Sequence, residues 1–221
     1  MQIEYCEFAD DVLYDLENNV WVKVEDESLV KLGITSVHGA LAGKLNQVKL
    51  KSRGAVLKKG QSIATIESVR YFGAVRTPIS GTLIETNTDL ETRPKLANDS
   101  PYQDGWFGKI EPSKLSEELR LLNDLKTVEE KIRSQVRELR IRCFKAYPDH
   151  EMWEIGVECA AVLVRLNELM CRISPNEVVH IVTDDPTADV EMARWSDQTG
   201  QVVLESRTEG KLTHVIVRKV K

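Results

Sequence analysis

Followed for the alternation of apolar and polar side chains, the chain falls into three stretches with different periods. Over residues 1–112, short runs rich in β-branched residues are separated by glycine turns. Trp21-Val22-Lys23-Val24, Ser62-Ile63-Ala64-Thr65-Ile66, Gly81-Thr82-Leu83-Ile84-Glu85-Thr86 and Trp106-Phe107-Gly108-Lys109-Ile110 predict strands. Gly60 and Gly81 stand where turns are expected, and a helical turn fits Ser36–Ala42. From 113 to 146 the period lengthens. Leu115, Leu119, Leu122, Ile132, Val136 and Leu139 recur at three- and four-residue spacings among Lys, Arg and Glu. That spacing puts them on one face and predicts one long amphipathic helix, or two joined ones. Ser113 or Ser116 would cap its start. Tyr147-Pro148-Asp149 would end it, because the residue before a proline disfavours helix.

Residues 150–221 alternate the two periods. Met152-Trp153-Glu154-Ile155-Gly156-Val157 predicts a strand, and Cys159 to Arg172 a helix carried by Val162, Leu163, Leu166, Leu169 and Met170. Glu177-Val178-Val179-His180-Ile181-Val182 predicts a second strand, ending at Thr183-Asp184-Asp185-Pro186. Thr187 to Thr199 predicts a second helix with Gly200 as its C-terminal cap. Val202-Val203-Leu204 and His214-Val215-Ile216-Val217 then pair across Glu209-Gly210. The order β-α-β-α-β-β predicts a two-layer α/β sandwich.

Composition narrows the function classes. With 221 residues there is room for one large or two small domains. A net charge of −5 without any basic block argues against nucleic acid as a partner, because phosphate binding needs concentrated Lys and Arg. No apolar run approaches the roughly 20 residues that span a bilayer, so no membrane partner is expected. The N-terminus, Met1-Gln2-Ile3-Glu4-Tyr5-Cys6-Glu7, is acidic and lacks a signal-peptide core, which makes cytoplasm the expected location. Cys6, Cys143, Cys159 and Cys171 form no C-x-x-C pair and the four histidines are scattered, so no zinc site is expected. Cys159 and Cys171 share a predicted helix, ~18 Å apart along its axis, too far for a disulfide. All four cysteines are expected as free thiols, with Cys171 in the core. His180 and His214 read as structural, and Asp184 and Asp185 as a turn that caps the second helix.

Residues 1–112 resemble the glycine-cleavage H protein. The resemblance is carried by Gly33-Ile34-Thr35, Glu67-Ser68-Val69-Arg70, Thr77-Pro78-Ile79-Ser80-Gly81, Asn87, and Pro94-Lys95-Leu96-Ala97-Asn98-Asp99-Ser100-Pro101-Tyr102 followed by Gly105-Trp106. It implies a barrel-sandwich hybrid, all-β, with residue 70 at the tip of an exposed hairpin. In that family the fourth residue of Glu-Ser-Val-Lys is the lysine that carries lipoate through an amide bond. Here it is Arg70. Amide formation needs a nucleophilic amine, and a guanidinium stays protonated at any physiological pH. No cofactor is therefore expected, lipoate included. Arg70 reads either as a solvated surface residue or, beside Tyr71 and Phe72, as a docking tip for a protein partner.

Residues 150–221 resemble the TusA family of sulfur carriers. Gly156-Val157-Glu158-Cys159, Asp184-Asp185-Pro186 and Val215-Ile216-Val217-Arg218-Lys219 carry the match, whereas Ala160-Ala161-Val162 replaces that family's Pro-x-Pro. The resemblance implies that Cys159 is the catalytic residue, holding a persulfide. A helix N-terminus lowers a thiol pKa through its unpaired N–H groups and positive dipole end, whereas Glu158 beside it works the other way. The expected organisation is an H-protein-like domain over 1–112, a helical connector over 113–149 and a TusA-like α/β domain over 150–221. The expected function is sulfur trafficking on Cys159, with the non-lipoylated domain as a docking platform for partners in sulfur or lipoate metabolism. That makes the chain at most a sulfurtransferase. The alternatives are a non-catalytic adaptor in which both modules have lost their chemistry and, against Arg70, a lipoylated H protein.

Overall fold

The alternating segments of the first half pair into antiparallel sheets, and the later apolar stripes lie on helices packed against sheet faces. The structure, a computed structural model, describes every residue from Met1 to Lys221 and divides into two units, Met1–Cys143 and Phe144–Lys221.

The first unit opens with a small hairpin, β1 (Gln2–Ile3) and β2 (Cys6–Glu7), followed by β3 (Leu13–Asp15), β4 (Val20–Asp26), β5 (Leu29–Ile34) and α1 (Ser36–Ala42). Then come β6 (Leu45–Leu50), β7 (Val56–Leu57), β8 (Ser62–Ser68), β9 (Phe72–Arg76) and β10 (Gly81–Thr86). Short helices α2 (Asp89–Thr92) and α3 (Leu96–Asp99), strand β11 (Trp106–Pro112), and helices α4 (Leu115–Leu119) and α5 (Leu125–Glu138) complete it. Six strands form one sheet in the order β3-β4-β5-β11-β10-β7, and β6-β8-β9 form another. Val22, Leu32, Leu83 and Phe107 from the larger sheet share one buried cluster with Val48, Ile66 and Val75 from the smaller. This sandwich is the architecture expected of the H-protein resemblance. Gly81 shows why its motif needs glycine: a Cβ there would lie 2.1 Å from the Glu111 carbonyl oxygen of the paired strand.

Helical periodicity over 113–146 resolves into two helices rather than one. The break falls where Asn123 pairs with Tyr14 through N–H···O bonds of 3.2 and 2.8 Å, a bridge that a continuous helix would forbid. Asp124 caps α5 by accepting the Thr127 N–H, whereas α4 starts after Lys114 with no side-chain cap, so neither Ser113 nor Ser116 takes the expected capping role. Leu125, Val128, Ile132 and Val136 are buried with Ile3, Cys6, Tyr14 and Trp21. The helix ends at Glu138, well before Pro148. Arg140 adopts φ +50°, and the Ile141 N–H turns back to the Val136 carbonyl. This reversal brings Cys143 to Cys6, and the two form a disulfide across 137 residues of sequence. The expectation of four free thiols is thereby corrected: Cys159 and Cys171 alone are free. Spacing along the chain carried no sign of the pairing, because the fold of the whole unit makes it. Cys171 is exposed, not core.

The second unit runs β12 (His150–Glu154), α6 (Cys159–Arg172), β13 (Val178–Thr183), α7 (Ala188–Thr199), β14 (Val202–Glu209) and β15 (Leu212–Arg218). Its sheet order is β12-β13-β15-β14, with β12 parallel to β13 and the other pairs antiparallel. Val162 and Leu166 of α6 and Met192 and Trp195 of α7 bury against Val179, Ile181, Val215 and Val217, which gives two layers. Gly200 holds φ +71° at the end of α7, the left-handed cap that its position predicts. Strand β12 stops earlier than the sequence suggests, because Gly156 turns the chain with φ +71°. His180 and His214 stack on the sheet with Nε2 and Nδ1 2.9 Å apart, a structural placement for both. No helix in the chain is long and apolar enough to cross a membrane.

Candidate functional site

The β8–β9 hairpin places Val69, Arg70 and Phe72 at an exposed tip, with Val69 95% and Phe72 74% exposed. Tyr71 turns inward instead, half-buried against the sandwich core, and its hydroxyl lies 3.3 Å from His38 Nε2. Burial lowers the His38 pKa, which disfavours the charged form of this ring. Arg70 does not extend into solvent as a free arm. Its Nη2 donates to the Ala40 carbonyl at 3.3 Å, and its backbone N–H donates to Ser68 Oγ at 3.2 Å. A Cβ on Gly43, whose φ is +81°, would sit 2.8 Å from Arg70 Nε, so glycine leaves the guanidinium its berth.

These contacts belong to a larger arrangement at the end of α1. The last carbonyls of a helix have no partner within it. Here Ser68 Oγ donates to the Ala42 carbonyl at 2.6 Å, and Asn98 Nδ2 donates to Gly39 and Gly43 at 3.2 and 2.9 Å. Asn98 Oδ1 also accepts the Leu45 N–H at 3.0 Å. Arg70 supplies the donor for Ala40. Sequence reasoning found Arg70 but missed the part of Asn98, whose only signal was its place in the Leu96-Ala97-Asn98-Asp99 motif.

The second candidate, Cys159, begins α6 as its spacing predicts, but its surroundings differ from the expectation. The side chain is buried, and burial, then Asp185, then Glu191 raise the thiol pKa. Asp185 is central to this effect. Its Oδ2 accepts the Cys159 N–H at 2.7 Å, while its Oδ1 accepts the N–H and hydroxyl of Thr187 at 2.7 and 2.6 Å. Asp184 likewise accepts the Gly156 N–H at 2.7 Å. The carboxylate thus takes the helix-terminal N–H that would otherwise stabilise a thiolate, and sets a negative charge beside the sulfur. Replacing Asp185 with asparagine keeps an acceptor and removes the charge, so the Cys159 pKa is expected to fall. Ultraviolet thiolate absorbance followed against pH would show it, and an unmoved titration would leave burial and Glu191 as the causes. Arg70 and Cys159 lie in different units, and no group of three or more His, Cys, Asp or Glu side chains is placed to hold a metal.

The sandwich and its tip agree with what comparison with known proteins finds. The family described as glycine cleavage H-protein matches residues 12–135. This chain belongs to the glycine cleavage H-protein family. Among its relatives, glycine cleavage system H protein 2 of Aquifex aeolicus is 36% identical over 157 residues, covering 71% of this chain and 90% of the relative. A probable glycine cleavage system H protein 2 of Sulfolobus acidocaldarius is 31% identical over 140 residues, 62% of this chain and 93% of the relative. The crystal structure of a glycine cleavage system H protein from Mycobacterium marinum aligns with a TM-score of 0.51 at 25% identity, covering 57% of this chain and 98% of that one. The family match extends through most of α5, so both helices after β11 lie within it, and α4 shows how. Glu118, buried on α4, accepts the Ser80 N–H and hydroxyl, each at 2.6 Å, within the Pro78-Ile79-Ser80-Gly81 motif. At the position of the attachment lysine in the resemblance stands Arg70, whose guanidinium donates to the Ala40 carbonyl.

Proposed function

We propose that this chain is a docking adaptor on the H-protein fold, presenting its β8–β9 hairpin to protein partners of lipoate or sulfur metabolism while carrying no lipoyl group. The observation that carries the reading is Arg70: the acceptor amine is gone, yet the hairpin is kept and fastened to the end of α1. Around it Val69 and Phe72 offer apolar surface beside a cation, a composition suited to protein contact. We take the cytoplasm as its place of action and protein, not nucleic acid or membrane, as its partner class. Intact-mass measurement of the full chain purified from its native cells tests the reading. The unmodified mass is expected, and a lipoyl adduct on any residue would overturn it.

A second reading makes Cys159 a persulfide carrier, with the H-protein-like unit as its docking platform. It is favoured by the place of Cys159 at the first position of a 14-residue helix directly after a strand, as in the TusA family that this segment resembles. In the loading step the thiolate attacks the outer sulfur of a donor persulfide, and the donor leaves as a thiolate. The raised thiol pKa weighs against it. Incubation with a persulfide donor is expected to leave the protein mass unchanged if the adaptor reading holds. A one-sulfur adduct that disappears in Cys159→Ser would establish the carrier instead.

A further inference from the structure

The Cys6–Cys143 pair lies outside both candidate sites, and its position suggests more than a static crosslink. Its partners are unequal: Cys6 is wholly buried, whereas Cys143 is only partly covered. Cys143 is also the last residue of the first unit. The hairpin that holds Cys6 has its own non-covalent anchors on α5. Glu4 accepts from Arg133 at 3.0 Å and from Arg137 at 2.8 Å. Opening the S–S bond therefore leaves the hairpin docked and acts on the tail that follows α5.

We infer that Cys6 and Cys143 form a thiol–disulfide exchange site, open to dithiol reductants, that governs how the tail 139–143 is fastened. A reductant thiolate attacks the sulfur of Cys143, the less buried partner, giving a mixed disulfide and releasing Cys6 as a thiolate that takes up a proton. The second thiol of the reductant then displaces Cys143, which leaves as a thiol, while the reductant departs as its own disulfide. Two electrons and two protons pass to the protein, and the dithiol is oxidised. In the oxidised chain the tail is fastened covalently at Cys143. In the reduced chain only non-covalent contacts hold it, among them the Ile141 N–H donated to the Val136 carbonyl at 2.9 Å. Arg140, held at φ +50°, is a strained non-glycine position and the first to relax when the tail is released. Disulfides of cytoplasmic proteins are commonly transient and redox-sensing, which suits such a site. The inference stands apart from the cargo reading, since neither Arg70 nor Cys159 enters it.

The test uses the full chain equilibrated in mixtures of reduced and oxidised dithiothreitol. Thiols are then blocked, labelled peptides mapped, and limited trypsin cleavage after Arg140 and Arg142 timed. Cys6 and Cys143 are expected to gain label together as reductant rises, with cleavage faster by about tenfold or more once the tail opens locally. Cys143→Ser, which changes the less buried partner, is expected to cleave at the fast rate in every mixture. Labelling of both cysteines in fully oxidised buffer, or a cleavage rate unmoved by reduction in the native chain, would overturn the inference.

Discussion

Arg70→Lys is expected to be fully modified by a lipoyl-transferring enzyme supplied with activated lipoate, and the native chain is expected to stay unmodified. The effect is all or none because it rests on one functional group. Lysine has a primary amine that loses its proton within reach of catalysis, whereas the arginine guanidinium does not. Everything else the family motif supplies is retained, with Glu67, Ser68 and Val69 preceding the position and an antiparallel β8–β9 hairpin presenting it. The cost to the fold should be small. Arg70 is exposed and loses one 3.3 Å hydrogen bond to Ala40, so stability should change within about 0.5 kcal/mol. Intact mass read beside an authentic H protein as positive control decides the matter. A variant that stays unmodified while the control is loaded would show that the tip has diverged beyond the one residue, and that the partner read here is not a lipoyl enzyme.

Trp21→Ala is expected to destabilise the first unit by about 3–5 kcal/mol, the range for truncating a buried aromatic side chain. Trp21 is wholly buried, and its Nε1–H donates to the Pro101 carbonyl at 3.0 Å. Its ring lies over Gly33, where a Cβ would come within 2.6 Å, and tilts against Tyr102 with centroids 6.0 Å apart. The substitution leaves both a cavity and a partly buried carbonyl without its donor. Urea unfolding of the full chain, with separate probes for each unit, should move the transition of the first unit and leave that of the second. A shift below about 1 kcal/mol would mean that the site collapses around the smaller side chain.

Much of this was legible because it is local. Apolar residues two apart placed β4, β8, β10 and β11, and spacing of three to four placed α6 over the same residues, Cys159–Arg172, that the structure gives. Gly200 marked a helix end because few other residues adopt its left-handed conformation at low cost. The family, too, was readable, because its motif residues hold turns and close approaches that tolerate little substitution. The absence of a lipoyl acceptor amine at residue 70 is likewise a matter of identity alone.

What periodicity could not reach was set by residues distant in sequence. The helical pattern left one helix or two joined ones open, and the Tyr14–Asn123 bridge decided for two, since the edge strand β3 satisfied its backbone groups there. Cys6 and Cys143 met only because α5 packs on the N-terminal hairpin and its tail reverses. Position at a helix start argued for an acidic Cys159 thiol, but its environment is set by Asp185 and Glu191, more than two dozen residues further on. By itself the sequence determined the strands, the main helices, the family and the missing amine, because each depends on a residue and its near neighbours. The tertiary structure alone decided which thiols pair, which carbonyl holds Arg70 and which charge faces Cys159, because electrostatics and covalent bonding act through space rather than along the chain.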